Sequence, residues 1–392
     1  MEFSSDFFKE NRRELQNWMA EDSLCIIYSG TSVPKSQDSM YKFSVNNNFY
    51  YLTGICEEGL VLLLTKDQAT LFIHPIDMEQ EKWNGKKIRL ETAQKISGIN
   101  QIEEITVLQN RLKEKSFSKI YRDFTIKTHE KQKLQEALGV VIDLEDCADV
   151  FPQLANQRVI KSQEEIDALK QAIKITHCGI NAIKKILTPN IMEYELQAEF
   201  EYQINKVRSW GTSFDTIVAG GKNGPILHYI ENSQPLLRGD LVLLDLGARY
   251  QGYCGDISRT FSVDGQMTDE QTILYDIVLQ TQIQLISEYK VGNSMAKLQS
   301  LTKTLFSERL MEKGFIRKAE EVDHYYYHGV GHSLGIDTHD VGYKSMEPFK
   351  AGMVMTCEPG LYFADRGIGI RIEDDILITE SGPINLSNGI YK

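Results

Sequence analysis

Two aspartates on the arms of one predicted hairpin are the first residues whose spacing suggests chemistry. Residues 241–261 begin with four aliphatic positions that lead into Asp245, reverse through a turn rich in glycine and tyrosine, and return with Asp256. An unpaired carboxylate at the end of an apolar strand is costly to bury, so Asp245 requires a partner. A metal ion would serve. Two solvated or capping carboxylates are the alternative that this hairpin alone leaves open.

Histidines form the second group of candidates. Five of the eight histidines fall between positions 228 and 339, and three of them occupy one stretch of twelve residues: His328, His332 and His339. The glycines in this stretch make it a poor helix and a flexible strand. His328 and His332 are an even number of residues apart and would share one face of an extended chain. A lone histidine is usually structural or solvated, but this grouping indicates an active site.

Two glutamates complete the set of candidate ligands. Glu358 ends an apolar run that begins at residue 354, and it directly precedes a Pro-Gly turn. Glu373 lies in the alternating segment 368–376, which predicts one continuous strand with Arg371 and Glu373 on the same face. Taken alone, Glu373 is more simply explained as an exposed strand residue that pairs with Arg371.

Each candidate ligand lies at a predicted strand end, beside glycine, or on a polar strand face. If the carboxylates converge they would repel one another and could not all ionise without cations, so we expect a site for divalent metal ions. Oxygen ligands with one imidazole favour a hard or borderline ion such as Mn²⁺ over a thiolate-bound structural zinc. The number of ligands points to two ions. The expected ligands are Asp245, Asp256, His332, Glu358 and Glu373.

The elements that must position these residues divide the chain into two parts. In the first part, the patterns predict an α/β domain that ends near residues 151–157. Helices are expected at residues 7–19, 78–83 and 90–97, and strands at 23–29, 50–53, 60–65, 70–74, 105–108 and 119–121. No set of catalytic residue types is found here: the aromatic residues at 49–51 suit a core, and His74 and His129 suit structural or solvated roles.

The second part of the chain predicts long helices on either side of the hairpin. A capping-box pattern at Ser162 and Glu165 starts one helix, and a second helix is expected at residues 193–207. After the hairpin, helices are expected at residues 268–289 and 294–314. The order of two helices, a hairpin, two helices and more strands suggests two similar halves. The fold class of the whole chain is therefore α/β (α+β).

The composition is that of an ordinary globular protein, and it excludes several classes. The 392 residues are 42% hydrophobic and 25% charged, enough for a large core in two or three domains. A formal net charge of −12 argues against a nucleic-acid-binding surface. The N-terminal residues lack the apolar core of a signal peptide, no apolar run could span a membrane, and the six cysteines are dispersed. These features predict a soluble cytoplasmic protein.

The order of the five candidate ligands resembles that of a metallopeptidase family. An Asp, a second Asp eleven residues later, then His, Glu and Glu are similar to the family that contains methionine aminopeptidase, aminopeptidase P and prolidase, with its pita-bread fold. Within that family, the His-Gly-x-Gly-His motif at 328–332 and Arg371 two positions before Glu373 are typical of the proline-specific enzymes. Residues 48–54 are similar to the N-terminal domain of aminopeptidase P, although residues 42–45 depart from the Arg-Gln pair of many relatives.

The resemblance implies a domain boundary and a ligand set. An N-terminal aminopeptidase P-like α/β domain would span residues 1–156 and a pita-bread metallopeptidase domain residues 157–392. Asp245 would chelate one ion, and His332 with Glu358 would hold the other. The bridging ligands would be Asp256 and Glu373, and the two ions would activate a shared water.

Further catalytic residues follow from the same resemblance. Glu358 could relay a proton, and Arg371 is expected to orient Glu373 rather than touch substrate. Three more histidines are placed to polarise the carbonyl, bind substrate or stabilise the tetrahedral intermediate: His228, His328 and His339.

The implied reaction is hydrolysis of the bond between an N-terminal residue and a following proline in peptides. A prolidase, which accepts only Xaa-Pro dipeptides, is the alternative; a non-catalytic binding module or a metal-free amidine hydrolase of the same fold is disfavoured by the intact ligands. Two divalent metal ions are the expected cofactors, with Mn²⁺ favoured and Zn²⁺, Co²⁺ or Fe²⁺ as alternatives. Peptides with proline at the second position are the expected partners, without nucleic acid or membrane, and a homodimer is expected.

Overall fold

One mixed sheet organises the N-terminal part of the chain. The computed structural model describes residues 3–390 and residue 392, and the chain divides into the units Met1–Gln157 and Arg158–Lys392, one residue from the predicted boundary. The strands of the first unit are β1 Ser23–Tyr28, β2 Val61–Leu64, β3 Ala69–Ile73, β4 Gln101–Glu104, β5 Lys119–Arg122 and β6 Ala148–Asp149. They lie in the order β4-β3-β2-β1-β5-β6, with β1 antiparallel to β2 and parallel to β5.

Helices pack on this sheet and give the unit its α/β character. They are α1 Ser5–Trp18, α2 Asn47–Thr53, α3 Met78–Asn84, α4 Leu90–Ser97, α5 Leu108–Lys113, α6 Thr128–Leu138 and α7 Phe151–Val159, the last of which contains the division between the units. Short 3₁₀ helices lie at Ile105–Val107 and Leu144–Asp146. Leu24 and Val61 of the sheet share a buried core with Leu134 of α6.

Residues 50–53 belong to helix α2, so the strand predicted there is wrong. The side chain of Asn46 caps this helix by accepting from the amide of Phe49 at 2.9 Å, and Gly54 ends it with a φ of +71°. Because residues 48–53 are all buried, the run has no periodicity that separates a short helix from a strand. The prediction that the aromatic residues at 49–51 are core residues is confirmed.

The strand predicted at residues 105–108 is also misplaced. The strand is β4, four residues earlier, and residues 105–107 form a 3₁₀ helix that leads into α5. Strand β4 is at the edge of the sheet and pairs only with β3. An edge strand tolerates polar residues, so the apolar pattern pointed to the following segment instead.

The C-terminal unit combines four long helices with short sheets. The helices are α8 Gln163–Ile186, α9 Glu193–Lys206, α10 Asp269–Ile286 and α11 Met295–Glu312, with 3₁₀ helices at Gly221–Asn223, Ala319–His324 and Ala364–Arg366. The strands are β7 Ile217–Gly220, β8 Leu241–Leu246, β9 Arg249–Tyr250, β10 Tyr253–Cys254, β11 Ile257–Ser262, β12 Val354–Cys357, β13 Gly360–Phe363, β14 Ile368–Arg371, β15 Asp374–Thr379 and β16 Gly382–Asn385. They form the sheets β11-β8-β7 and β12-β15-β16 and the pairs β9-β10 and β13-β14.

The predicted helices of this unit are present, and their first turns follow the sequence signals. Ser162 and Glu165 exchange the two hydrogen bonds of a capping box at the start of α8. The apolar face of α8 then packs on the hairpin, where Ile173 and Leu244 share one core. The order of a helix pair and a three-stranded sheet occurs twice, and an internal duplication stays a prediction.

The segment 368–376, predicted as one strand, is divided between two ladders. Strand β14 pairs with β13, and strand β15 pairs with β12 and β16. Between them the amide of Glu373 donates to the carbonyl oxygen of Ser258 at 3.1 Å. The alternation predicts an extended chain but carries no information about which strand it pairs with.

Of the helices in the described residues, none combines the length and apolar character that a bilayer span requires.

Candidate metal centre

The hairpin of β8 and β11 holds the first two predicted ligands. Asp245 is on β8, opposite Ser258 of β11. Its neighbour Leu244 packs in the core, and because successive side chains of a strand alternate, Asp245 points to the other face. Asp256 lies between β10 and β11, and its amide donates to Oδ2 of Asp375 at 3.3 Å. Each part of the hairpin thus carries one aspartate, and both side chains line one cavity.

The glycine-rich segment runs beside β12 and brings His332 to Glu358. The amide of Thr356 donates to the carbonyl oxygen of His332 at 2.8 Å, and the amide of Glu358 donates to that of Val330 at 2.9 Å. A Cβ atom on Gly331 would lie 2.1 Å from the carbonyl oxygen of Thr356. Glycine at this position therefore permits the close backbone approach that brings the two side chains together.

All the predicted site residues line one cavity of about 810 Å³. Nε2 of His332 lies 3.4 Å from Oδ2 of Asp256 and 3.6 Å from Oε1 of Glu358. One ligand atom each from Asp256, His332 and Glu373 lie within 4.8 Å of one another. The residues brought together are Asp245, Asp256, His332, Glu358, Glu373, His228, His328, His339 and Arg371.

Two carboxylate oxygens in and beside this cavity have no hydrogen-bond partner in the described part of the chain, and the other carboxylates crowd one another. Oδ1 of Asp245 and Oδ1 of Asp375 are buried and accept no hydrogen bond from the described residues. Burial, and then repulsion by neighbouring carboxylates that include Asp245 and Glu358, raises the pKa of Asp256 and that of Glu373 well above the usual range. A divalent cation would supply the missing positive charge, so the residues fit a metal site.

His332 has the tautomer of a metal ligand. Its Nδ1 lies 3.0 Å from the carbonyl oxygen of Ser333, which can only accept, so Nδ1 carries the proton. In the neutral ring, the lone pair is then on Nε2, the atom that faces Asp256 and Glu358. A backbone carbonyl on the other ring nitrogen is the usual way in which proteins orient such a ligand.

Arg371 contacts Asp245 directly and Glu373 through a hydroxyl group. Its Nη2 donates to Oδ2 of Asp245 at 2.6 Å, and its Nε donates to Oγ of Ser258 at 2.9 Å. The hydroxyl of Ser258 donates in turn to Oε2 of Glu373 at 2.7 Å. Arg371 therefore reaches Glu373 through a hydroxyl and holds Asp245 directly. The break of the strand at residues 372–373 removes the direct pairing that a continuous strand would have given.

His328 is occupied on both ring nitrogens. Nδ1 lies 2.7 Å from the carbonyl oxygen of Gly329 and so carries the proton. Burial, and then the charge of Arg371, lowers the pKa of His328 to about 4, so the ring is neutral and Nε2 accepts from the hydroxyl of Tyr362 at 2.8 Å. That hydroxyl accepts from Nη1 of Arg371 at 2.9 Å. His328 thus belongs to the network that holds Arg371.

The other two predicted histidines keep their rings available. Neither His228 nor His339 has a ring hydrogen bond among the described residues. The ring of His339 lies over that of His332 with centroids 4.0 Å apart, and burial and then the neighbouring histidines lower the pKa of His339. These two side chains are free to contact a ligand in the cavity.

A buried glutamate on helix α9 holds the segment that carries His228. Oε1 of Glu193 accepts from the amide of Gly220 at 2.9 Å and from Nδ2 of Asn223 at 3.0 Å. Its Oε2 accepts from the hydroxyl of Tyr229 at 2.8 Å and from the amide of Gln234 at 2.9 Å. The exposed His228 therefore stands next to an anchored tyrosine.

Four residues of the site were not predicted. Ser258, Thr356 and Asp375 each lie two positions from a predicted ligand on an extended chain, so strand alternation placed them on the ligand's face and could have identified them. The hydroxyl of Thr356 accepts from the amide of His332 at 3.0 Å. The fourth, Tyr362, carries no signal in the sequence that separates it from a core tyrosine.

Comparison with known proteins decides the family. Residues 167–380 match metallopeptidase family M24, and residues 8–121 match the aminopeptidase P N-terminal domain. The chain belongs to metallopeptidase family M24. This M24 chain is 34% identical to the Xaa-Pro aminopeptidase of Haemophilus influenzae, over 98% of its own length and 94% of that protein. It is 33% identical to the Xaa-Pro aminopeptidase of Escherichia coli, over 100% and 96%.

Solved structures agree with this assignment to M24. The aminopeptidase P from Escherichia coli with the inhibitor Pro-Leu has a TM-score of 0.91 and 32% identity, covering 100% of this chain and 97% of that chain. The zinc-substituted enzyme in complex with product has a TM-score of 0.92 and 31% identity over the same shares. The predicted fold, with an N-terminal α/β domain and a pita-bread domain, is confirmed. So is the predicted class, a metal-dependent peptidase of the Xaa-Pro aminopeptidase group.

Proposed function

We propose that this chain removes the N-terminal residue from peptides whose second residue is proline, by hydrolysing the bond between the two. The observation that carries the proposal is the convergence of five ligand-type side chains on one cavity, where Oδ1 of Asp245 is buried and has no hydrogen-bond partner among the described residues. Similarity to Xaa-Pro aminopeptidases along the whole chain supports the same class of substrate.

The metal ligands are those that the family resemblance implies. Asp245 would hold one ion, His332 and Glu358 a second, and Asp256 and Glu373 both. The cofactors are two divalent ions, with Mn²⁺ favoured by the oxygen-rich set of donors. When bound, such ions activate a water nucleophile and polarise the scissile carbonyl.

Neighbouring side chains orient two of the proposed ligands through hydrogen bonds. Arg371 fixes Asp245, and Ser258 fixes Glu373, so both carboxylates are oriented by the protein. Oε1 of Glu358 lies 3.4 Å from the hydroxyl of Thr356 and faces the same cavity. Glu358 accepts a proton from the attacking water and delivers it to the departing proline nitrogen.

The histidines divide into two roles. His228 and His339, whose rings are available, contact the scissile carbonyl or the oxyanion of the tetrahedral intermediate. His328, whose nitrogens are both engaged, holds Tyr362 and through it Arg371. Contact of His328 with substrate, one of the expected roles, is therefore replaced by a positioning role.

Hydrolysis of a matched peptide set tests the proposal. The set contains an Xaa-Pro dipeptide, an Xaa-Pro-Xaa tripeptide and an Xaa-Ala-Xaa control, each with added Mn²⁺ and after chelation. We expect metal-dependent cleavage of the tripeptide and no cleavage of the alanine control. Cleavage of the dipeptide alone would identify a prolidase instead, and cleavage of none by metal-loaded protein would contradict the proposed substrate.

We also propose that the chain forms a homodimer, as the family resemblance implies, and that it is cytoplasmic, as the composition suggests. All six cysteines are free thiols, which suits a reducing compartment. Sedimentation velocity of the purified chain measures the oligomeric state, and fractionation of cells measures the location. A monomer in solution, or recovery with a secreted fraction, would contradict the respective part.

A further inference from the structure

A buried cluster of ionised side chains lies under the loop that carries His339. The side chains of Arg158 and Lys161 are 2% and 1% exposed, and they meet that of Asp340, which is 1% exposed. Nη2 of Arg158 donates to Oδ1 of Asp340 at 2.5 Å, and Nζ of Lys161 donates to Oδ2 at 2.8 Å. Each oxygen of Asp340 therefore has its own cation.

These three residues do not line the metal cavity, but the loop above them does. Asp337, Thr338 and His339 face the cavity, one after another. Asp337 also accepts from Nη2 of Arg158 at 2.5 Å. The two buried cations therefore face the buried carboxylate of Asp340 and the carboxylate of Asp337, whose side chain is 41% exposed.

The loop, residues 333–340, closes on itself at Asp340. The amide of Asp340 donates to the carbonyl oxygen of Ser333 at 2.8 Å, and the amide of Gly335 donates to that of Asp337 at 3.1 Å. A Cβ atom on Gly335 would lie 2.0 Å from Oδ2 of Asp340, so glycine leaves room for the carboxylate. The loop begins directly after His332 and contains His339, whose ring lies over that of His332 with centroids 4.0 Å apart.

The carboxylate of Asp340 is charged and has little freedom to move. Burial alone would raise its pKa, but Lys161 and Arg158 outweigh that effect and hold the pKa of Asp340 below its usual range. Nζ of Lys161 also donates to the carbonyl oxygen of Arg158 at 2.7 Å. The two cations are therefore tied to each other as well as to the loop.

We propose that Asp340, clamped between Arg158 and Lys161, is a positioning residue that sets the ring of His339 against His332 for the peptidase reaction. The inference rests on the proposed function, in which His339 contacts the reacting carbonyl. A displacement of a catalytic side chain by about 1 Å lowers a rate by as much as about 100-fold. The clamp acts on the reaction only through His339.

A double-mutant cycle separates this role from a general effect on stability. Asp340→Asn keeps the volume but turns an amide N–H₂ toward one of the two cations. We expect kcat on an Xaa-Pro-Xaa tripeptide to fall by about 10- to 100-fold, with KM and bound metal unchanged. In a His339→Ala background the same substitution is expected to cost nothing further. Losses that multiply in the double variant would overturn the inference.

Conservative and disruptive replacements of Arg158 give a second comparison. Arg158→Lys keeps a cation beneath Asp340, and Arg158→Met removes it. We expect the lysine variant to retain most of kcat and the methionine variant to resemble Asp340→Asn. Lys170→Met is the matched control, because Lys170 pairs with Asp167 on the exposed face of α8. Equal rates for the two Arg158 variants would contradict the clamp.

Hydrogen exchange measures how readily the loop opens, independently of peptidase activity. In metal-loaded protein, the amides of Gly335 and Asp340 are expected to exchange about 10-fold faster in Asp340→Asn than in wild type, with those of α10 unchanged. Unaltered exchange would overturn the inference and leave the proposed function standing. Failure of wild type to cleave any Xaa-Pro peptide would remove the proposed function, while faster exchange would still show that Asp340 holds the loop. If Asp340→Asn does not fold, the two Arg158 variants provide the same comparison.

Discussion

A hydroxyl group and a guanidinium orient two carboxylates of the proposed metal centre. Oε2 of Glu373 accepts from Ser258, and Oδ2 of Asp245 accepts from Arg371. The second oxygen of Asp245 is left without a hydrogen bond among the described residues, so it is available to a cation. The ligand atoms are therefore held in place by contacts that do not compete with a metal ion.

Asp256→Asn tests the ligand that is assigned to both ions. The amide keeps one neutral oxygen and loses the negative charge, so we expect loss of bound metal and a fall in kcat/KM beyond the about 10- to 100-fold that removal of an outer partner produces. Metal content by mass spectrometry and hydrolysis of an Xaa-Pro-Xaa tripeptide measure both. Asp276→Asn, on the exposed face of α10, is the control. Turnover like that of wild type would contradict the assignment.

Ser258→Ala tests the hydroxyl between Arg371 and Glu373. The variant removes a donor to the glutamate and an acceptor from the arginine while leaving every proposed ligand in place. We expect a fall of about 10-fold in kcat/KM or in metal affinity, with circular dichroism unchanged. Ser300→Ala on helix α11 is expected to behave as wild type. If the two serine variants were indistinguishable, the hydroxyl would have no part in orienting Glu373.

The proposed ligands were easier to find in the sequence than the residues beside them. Carboxylates and imidazoles attract notice because their burial needs an explanation, as at Asp245 and His332. A hydroxyl such as that of Ser258 or Thr356 is common in any strand, and its role depends on which side chain the register places opposite it. The contact of Arg371 with Asp245 was not predicted for the same reason, since Asp245 is 126 positions away in the chain.

At the scale of elements, the two glycines of the His-Gly-x-Gly-His motif differ in how much space a side chain would have. A Cβ atom at Gly331 would lie 2.1 Å from the carbonyl oxygen of Thr356, whereas one at Gly329 would meet nothing closer than 4.0 Å. Gly331 therefore controls how closely the segment runs beside β12. Gly329 has room for a methyl group.

Gly331→Ala and Gly329→Ala form a matched pair of variants. We expect Gly331→Ala to lower the free energy of unfolding by about 1–3 kcal/mol, as overpacking does, and to reduce turnover by displacing His332 from Glu358. Gly329→Ala is expected to melt like wild type. Thermal unfolding and tripeptide hydrolysis measure the difference. The same behaviour in both variants would mean that the contact with β12 does not constrain the site.

Helices with capping signals were predictable from the sequence, but the buried run at residues 50–53 was not. Ser162 and Glu165 predicted the start of α8 because a helix cap is a local interaction that the sequence specifies directly. Residues 50–53 are surrounded by core, so the choice between helix and strand was made by Asn46 and Gly54 at the ends of the run. The division of the segment 368–376 was set by distant strands, which local periodicity does not describe.

At the scale of the whole molecule, metal binding is expected to stabilise the fold. The metal-free centre gathers carboxylates that raise one another's pKa, and cations that bind only the folded chain shift the unfolding equilibrium. At a free Mn²⁺ concentration 100 times Kd, one site adds about 2.7 kcal/mol. Calorimetry with Mn²⁺ and after chelation measures the shift in Tm. Asp256→Asn is expected to lose the shift, and an identical Tm in the two conditions would contradict the metal centre.

Convergence of the five ligands could not be predicted from spacing alone. They come from the hairpin, the glycine-rich segment, the end of β12 and the junction before β15, and long-range backbone contacts such as that of Glu373 with Ser258 bring them together. The resemblance to a known family supplied this information. The composition contributed only exclusions, because net charge and apolar content constrain the surface and the core rather than the position of a site.

The switch of partners between β14 and β15 fixes the length of the chain at the active site. Arg371, Glu373 and Asp375 face the cavity or its ligands from alternate positions. Since a slip of one residue exchanges the two faces of an extended chain, an insertion or deletion at 372 would turn two of these side chains away. The hairpin turn at residues 380 and 381 carries no such constraint. In a library of single-residue insertions selected for peptidase activity, we expect active variants with insertions at that turn. We expect none with insertions between Arg371 and Asp375. The segment around the metal centre can therefore evolve by substitution but not by changes of length.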